Sequence, residues 1–164
     1  MIILGIDPGL ATMGYGVIES DRGNNRLIQY GTVTTPAGQP MPMRLRAIFQ
    51  GVSQLMEIYK PDEVAFEELF FSKNITTGMA VSAARGVSLV AVAEHTEEIF
   101  EYTPMQIKQA ITGYGGADKH QMQHMVKLLL HMEDIARPDD AADAIAVALT
   151  HSNMSHARDM FRIK

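Results

Sequence analysis

The segment that most restricts the fold is GIDPGLATMGYGV, residues 5–17. The short apolar run at 3–6 reads as a buried strand, and Pro8-Gly9 ends it. Asp7 therefore stands at a strand end, beside an apolar core, where a carboxylate is costly without a partner. Turn chemistry also places aspartate before Pro-Gly, so Asp7 alone reads as well as a turn residue as it does as a ligand. Beyond the turn, residues 14–20 return as a second strand, 21–25 form a tight turn, and 27–35 form a third strand rich in β-branched residues. Such short links give an antiparallel meander.

The pattern then changes. Leu45, Ile48, Phe49, Val52, Leu55, Met56 and Tyr59 recur at the helical period, predicting a helix over 43–59 that Pro61 ends. Residues 63–67 predict a fourth strand, 69–74 a loop, 76–95 a strongly apolar helix and 98–103 a fifth strand. TPMQ at 103–106 has the form of a capping box, opening a short helix to Thr112. After the glycine-rich turn 113–118, helices are expected over 119–131 and 139–151. A meander followed by alternating helix and strand implies one mixed sheet flanked by helices, an α/β fold. The 164 residues suit one domain.

Three further carboxylates join Asp7. Glu67 ends the fourth strand, where it gains nothing obvious from local structure. Asp140 and Asp143 lie three apart on the last predicted helix, hence on one face. Ala141, Ala142, Ala144 and Ala146 around them let that helix pack close to a sheet. Asp139 and Asp140 also suit a helix N-terminus as capping residues, an explanation that reaches Asp143 less well. Gathered at one sheet edge, four acids would repel and raise each other's pKa, which two divalent cations would relieve. The chain has no cysteine, so disulfides and thiolate metal sites are excluded, and carboxylates favour hard cations. The net charge of −5 argues against a simple polyanion-coating role. No signal peptide and no membrane span is expected, which fits the cytoplasm.

GIDPGLATMGYGV, VAFEELFFSKN, ARGV, EYTPMQIKQAITGYGGADKHQMQHMV and DDAADAIAVALTH, taken in order, resemble the RuvC family of Holliday-junction resolvases. The resemblance runs from Ile2 to about His151, so residues 1–151 are expected to form the nuclease domain and 152–164 a C-terminal tail. It implies a ribonuclease H-like fold of the retroviral integrase superfamily, with a five-stranded sheet in order 3-2-1-4-5. It implies a homodimeric, Mg²⁺-dependent endonuclease that nicks two opposed strands of a four-way DNA junction in recombination and repair, leaving 5′-phosphate and 3′-hydroxyl ends. Asp7, Glu67, Asp140 and Asp143 match the metal-binding acids, with two Mg²⁺ per subunit and Mn²⁺ as a substitute. Asp7 would bridge the two ions. The RuvA–RuvB branch-migration complex is an implied partner.

The resemblance also matches Lys108 and Lys119 to DNA-supporting lysines, with Lys119 neutralising charge on the phosphate, and Phe70 to an aromatic at the junction centre, with Phe71 beside it. Lys119 at the first position of a helix has its own rationale, since a phosphate there would meet both the ammonium and the backbone N–H groups. Lys73, Arg85 and Lys127 are candidate backbone contacts. Gly116 departs from the family pattern, which carries a basic residue there. His151 reads as a helix C-terminal cation, and Met79, Val81, Val87 and Val90 as either a dimer seam or core. An actin-like or sugar-kinase-like ATPase also opens with strand, Asp, Gly and hairpin, but needs two such lobes. A junction-binding module without catalysis would be favoured by a missing acid, and none is missing.

Overall fold

The computed structural model describes residues 1–69, 75–154 and 157–164, with only the backbone described for 75–77. The elements are β1 (Ile2–Asp7), β2 (Thr12–Asp21), β3 (Asn24–Thr34), α1 (Met41–Tyr59), β4 (Glu63–Glu67), α2 (Ile75–Ala93), β5 (Ile99–Tyr102), α3 (Pro104–Thr112), α4 (Lys119–Leu129), α5 (Asp139–Asn153) and a 3-10 turn (Arg158–Phe161). All five strands join one sheet in the order β3-β2-β1-β4-β5. The meander is antiparallel, and β1–β4 and β4–β5 are parallel. The expected element order and strand order both hold.

Alternation along the strands sorts side chains to two faces. Leu4, Ile6, Val64 and Phe66 pack against α1 and α2, with Ile48, Val52, Leu55, Ala84 and Val92. Ile3 and Ala65 face the other way, onto α3, α4 and α5, with Ile107, Val126, Ala142 and Ile145. By the same period-two rule, Asp7 on β1 and Glu63 and Glu67 on β4 turn to the α5 face.

Three strand glycines let α5 lie directly on the sheet. A Cβ on Gly5 would meet the Ala144 carbonyl oxygen at 2.2 Å, one on Gly14 the Asp140 carbonyl oxygen at 1.9 Å, and one on Gly16 the Ile145 side chain at 2.7 Å. The alanines of α5 supply the matching small surface. Sequence reading found the alanines and missed the glycines that answer them.

Two local expectations are met. Thr103 and Gln106 form the reciprocal capping box opening α3. α4 opens at Lys119 as expected, but Asp118 caps it, accepting from the Gln121 amide while Gln121 accepts from the Asp118 amide. The tail, for which the sequence offered nothing, folds back on β5. Phe100 bridges Arg162, the Ile163 amide donates to the Ile99 carbonyl, and Phe161 packs on Tyr102 with ring centroids 4.9 Å apart.

Candidate active site

The β1–β4 ladder pairs Ile6 with Phe66, so its next step sets Asp7 beside Glu67 at the sheet's edge. On its other side Asp7 pairs with Gly14, the residue on which the Asp140 backbone rests. The start of α5 is thus seated next to Asp7. Asp143, one turn along, faces the cleft that Glu67 lines together with Lys108, Lys119, Ile107 and Met122. Three separate elements, β1, β4 and α5, bring the four acids to one end of the sheet.

Their electrostatics show the proximity. Burial pushes the Asp7 carboxyl up to about 8, helped by the charges of Glu67, Asp143 and Asp140 and by a hydrogen bond with Glu67 that favours the proton on Asp7. Burial likewise raises Glu67 to about 7, with Asp143 adding to the effect and the Asp7 hydrogen bond, Lys119 and Lys108 opposing it. Asp143 is raised by burial, although its hydrogen bond from Lys119 works the other way. Among the described residues, no three carboxylate or imidazole groups are already drawn tightly enough to enclose an ion. What stands at this edge is a buried Asp7–Glu67 pair whose environment disfavours the charge of both, and an ammonium against Asp143. An all-oxygen, partly buried donor set that retains a proton near neutrality fits hard divalent cations, which would displace that proton.

Lys119 reaches Asp143 at 3.1 Å and Asp139 at 3.4 Å. Burial would lower its pKa, but these two acids outweigh it and raise the ammonium. Asp118 and Gln121 cap the start of α4 through the Gln121 and Asp118 amides, and the Lys119 ammonium reaches Asp143 and Asp139. Asp139 is a satellite of the group, held by Arg137 at 2.7 Å, by Gln123 at 2.9 Å and by Lys119. α5 begins after Pro138 with no side-chain cap, so capping does not explain Asp140.

The other predicted residues divide. Lys108 lines the acid cleft. Arg85 does not. It is ion-paired with Glu101, and their shared pocket is lined by Glu68, Leu69 and Ser82. Phe70, Phe71 and Lys73 lie outside the described residues. Gly116 sits under the Tyr114 ring, where a Cβ would come within 2.6 Å, so a side chain there would have to displace that ring.

His151 is not a helix-end cation. It is buried, with Nδ1 2.7 Å from the Tyr102 hydroxyl and Nε2 2.6 Å from Glu63 Oε2, and Arg158 completes the Glu63 carboxylate at 2.8 Å. Burial lowers its pKa, keeping the ring neutral. Glu63 can only accept, so Nε2 carries the hydrogen and Nδ1 accepts from Tyr102. Local sequence could not show this, because the partners are 49 and 88 residues away.

The sequence profile of the crossover junction endodeoxyribonuclease RuvC family matches residues 3–151. The chain belongs to the RuvC family. A RuvC of Alkaliphilus metalliredigens is 49% identical over 164 residues, covering all of both chains. A RuvC of Rubrobacter xylanophilus is 54% identical over 151 residues, 92% of this chain and 84% of that one. In three dimensions the chain is similar to Thermus thermophilus RuvC in complex with a Holliday junction substrate, with a TM-score of 0.90, 35% identity and 94% of each chain covered. The ribonuclease H-like fold expected from the sequence is thus the RuvC fold.

Proposed function

We propose that the chain is a junction-resolving endonuclease. It hydrolyses one phosphodiester in each of two opposed strands of a four-way DNA junction and leaves 5′-phosphate and 3′-hydroxyl ends. The observation that carries this reading is the convergence of Asp7, Glu67, Asp140 and Asp143 beside Lys108 and Lys119, in a member of a family that includes a RuvC seen with junction DNA. Asp7, Glu67, Asp140 and Asp143 would hold two Mg²⁺ ions, or Mn²⁺ in their place. When bound, such ions supply Lewis acidity at the attacking water and the leaving oxygen.

The chain's own groups do the rest. Asp7 and Glu67, whose burial favours their protonated forms, would have to be ionised to hold the metal. Lys119 spans Asp143 and Asp139 without DNA and swings to the phosphate as negative charge builds there. Lys108 lies along the same cleft and holds the strand. Residues 1–151 form the nuclease domain, and the 152–164 tail buttresses it. Phe70 remains the candidate for stacking on junction bases. A homodimer would present two such sites about a two-fold axis, matching the junction's symmetry. The outward stripe of α2, where Met79 is 70% and Val90 57% exposed, is the candidate seam. Action in the cytoplasm alongside a RuvA–RuvB complex belongs to the same reading. Among the described residues no helix is long and apolar enough to cross a membrane.

The test is incubation with a synthetic mobile four-way junction and Mg²⁺. Paired symmetric nicks whose ends a ligase reseals are the expected product. An absence of nicks across several junction sequences and both metals would overturn the reading.

A further inference from the structure

The acids are flanked by two clefts. One contains Lys108 and Lys119. The other opens on the Asp140 side, lined by Leu10, Thr12, Ala37, Ala80, Val81 and Arg44. Apart from Asp140 itself, Arg44 is the charged residue of that second cleft. We propose that Arg44 is a strand-positioning residue that grips a DNA phosphate neighbouring the scissile one, on the side of the acids opposite Lys119. This rests on the junction-nuclease reading above.

Arg44 is held as a binding group would be. Its Nε donates to Thr35 Oγ1 at 2.9 Å, and Thr35 is buried. The Thr35 hydroxyl spends its one hydrogen on the Leu10 carbonyl at 2.5 Å, so it must accept from Arg44. The Thr35 amide also donates to the Ala11 carbonyl at 3.0 Å, tying this anchor to the loop that follows Asp7. The guanidinium is therefore fixed relative to the acids by its ε edge. Its four remaining N–H groups have no partner among the described residues. Of the eight arginines in the chain, Arg26, Arg85, Arg137, Arg158 and Arg162 are ion-paired; Arg44 is only partly exposed and has no ion pair among the described residues. A pre-oriented planar fork in a cleft whose other described charge is Asp140 suits a phosphodiester oxygen pair. With lysines on one side and Arg44 on the other, a strand crossing the acids is held at both flanks, which fixes which phosphate lies over them.

The experiment is single-turnover nicking of junctions that each carry one uncharged methylphosphonate at a phosphate flanking the cut. Wild type, Arg44→Gln and Arg44→Lys are compared, with melting temperatures recorded. In wild type, one flanking methylphosphonate should raise the half-saturating protein concentration about tenfold, the loss of one charge-assisted contact. Arg44→Gln should show the same rise on the unmodified junction, no further rise with that methylphosphonate, and a saturating rate within about threefold of wild type. Arg44→Lys should recover part of the loss. If wild type is indifferent to every flanking methylphosphonate, or if each one weakens wild type and Arg44→Gln alike, Arg44 merely props the loop and the proposal fails while the nuclease reading stands. Should Arg44→Gln unfold, Arg44→Met, which keeps the apolar stem, carries the same comparison. A wild type that nicks no junction removes the nuclease reading, and the Arg44 assignment with it.

Discussion

Asp7 holds its proton to about pH 8 because burial and three neighbouring carboxylates disfavour its charge. Its ordinary value is 3.8, so between about pH 4 and 8 the folded state binds a proton that the unfolded state has released. Without divalent ions, stability should therefore fall as pH rises through that window. Asp7→Asn should flatten the fall and, at pH 8, melt higher than wild type. Mg²⁺ should raise the wild-type melting temperature more at pH 8 than at pH 5, and raise that of Asp7→Asn little. Melting curves at the two pH values with and without Mg²⁺ check this, and Asp7→Asn should nick no junction. His151 has the opposite sign. Its folded pKa lies below the ordinary 6.5, so its contribution is intact above that value and is lost as pH falls below it. The four acids could be picked out of the sequence only as a set: Glu67 and Asp143 stand where local structure explains them poorly, whereas Asp7 and Asp140 alone also suit a turn and a helix cap. Arg44 and His151 could not, since what defines them is a hydrogen bond to a residue on another element.

At the scale of elements, α5 and β4 run antiparallel and are joined at both ends. Asp143 and Glu67 meet at the acid edge, while His151 and Glu63 meet at the other. Eight helical residues rise about 12 Å, and four strand residues about 13 Å. The two spans match, so the buried Glu63–His151 contact sets the register that puts Asp143 at the cleft. The strand glycines set the depth. Gly14→Ala would place a methyl group 1.9 Å from the Asp140 carbonyl oxygen, so the start of α5 must lift. The expected cost is about 1–3 kcal/mol in stability, by denaturant melts, with a larger proportional loss in nicking because Asp140 moves with the helix. Gly38→Ala, where nothing lies within 4 Å of the new methyl, should leave both nearly unchanged. Elements and their order were readable because period and turn residues are local signals. The depth of α5 was not, because it depends on glycines in β1 and β2 meeting helix residues more than a hundred positions later.

For the whole molecule, the tail closes what the sheet leaves open. Arg158 neutralises Glu63, Arg162 pairs with Glu98 at 2.6 Å and lies over the Phe100 ring at 5.0 Å, and the backbone bridge covers the outer edge of β5. A covered edge cannot template pairing with another chain. Arg158→Ala should destabilise the protein by about 1–3 kcal/mol in denaturant melts, because a buried carboxylate loses its cation. No sequence pattern announced this docking, since its ion pairs join residues 95 and 64 positions apart. The seating of α5 across β1 and β2 has a consequence for biosynthesis. Asp7 is made more than 130 residues before Asp140 and Asp143. The cutting centre therefore comes together only once α5 has been translated, so a nascent or prematurely terminated chain that lacks α5 could display the strand-end acids yet pose no hazard to the genome.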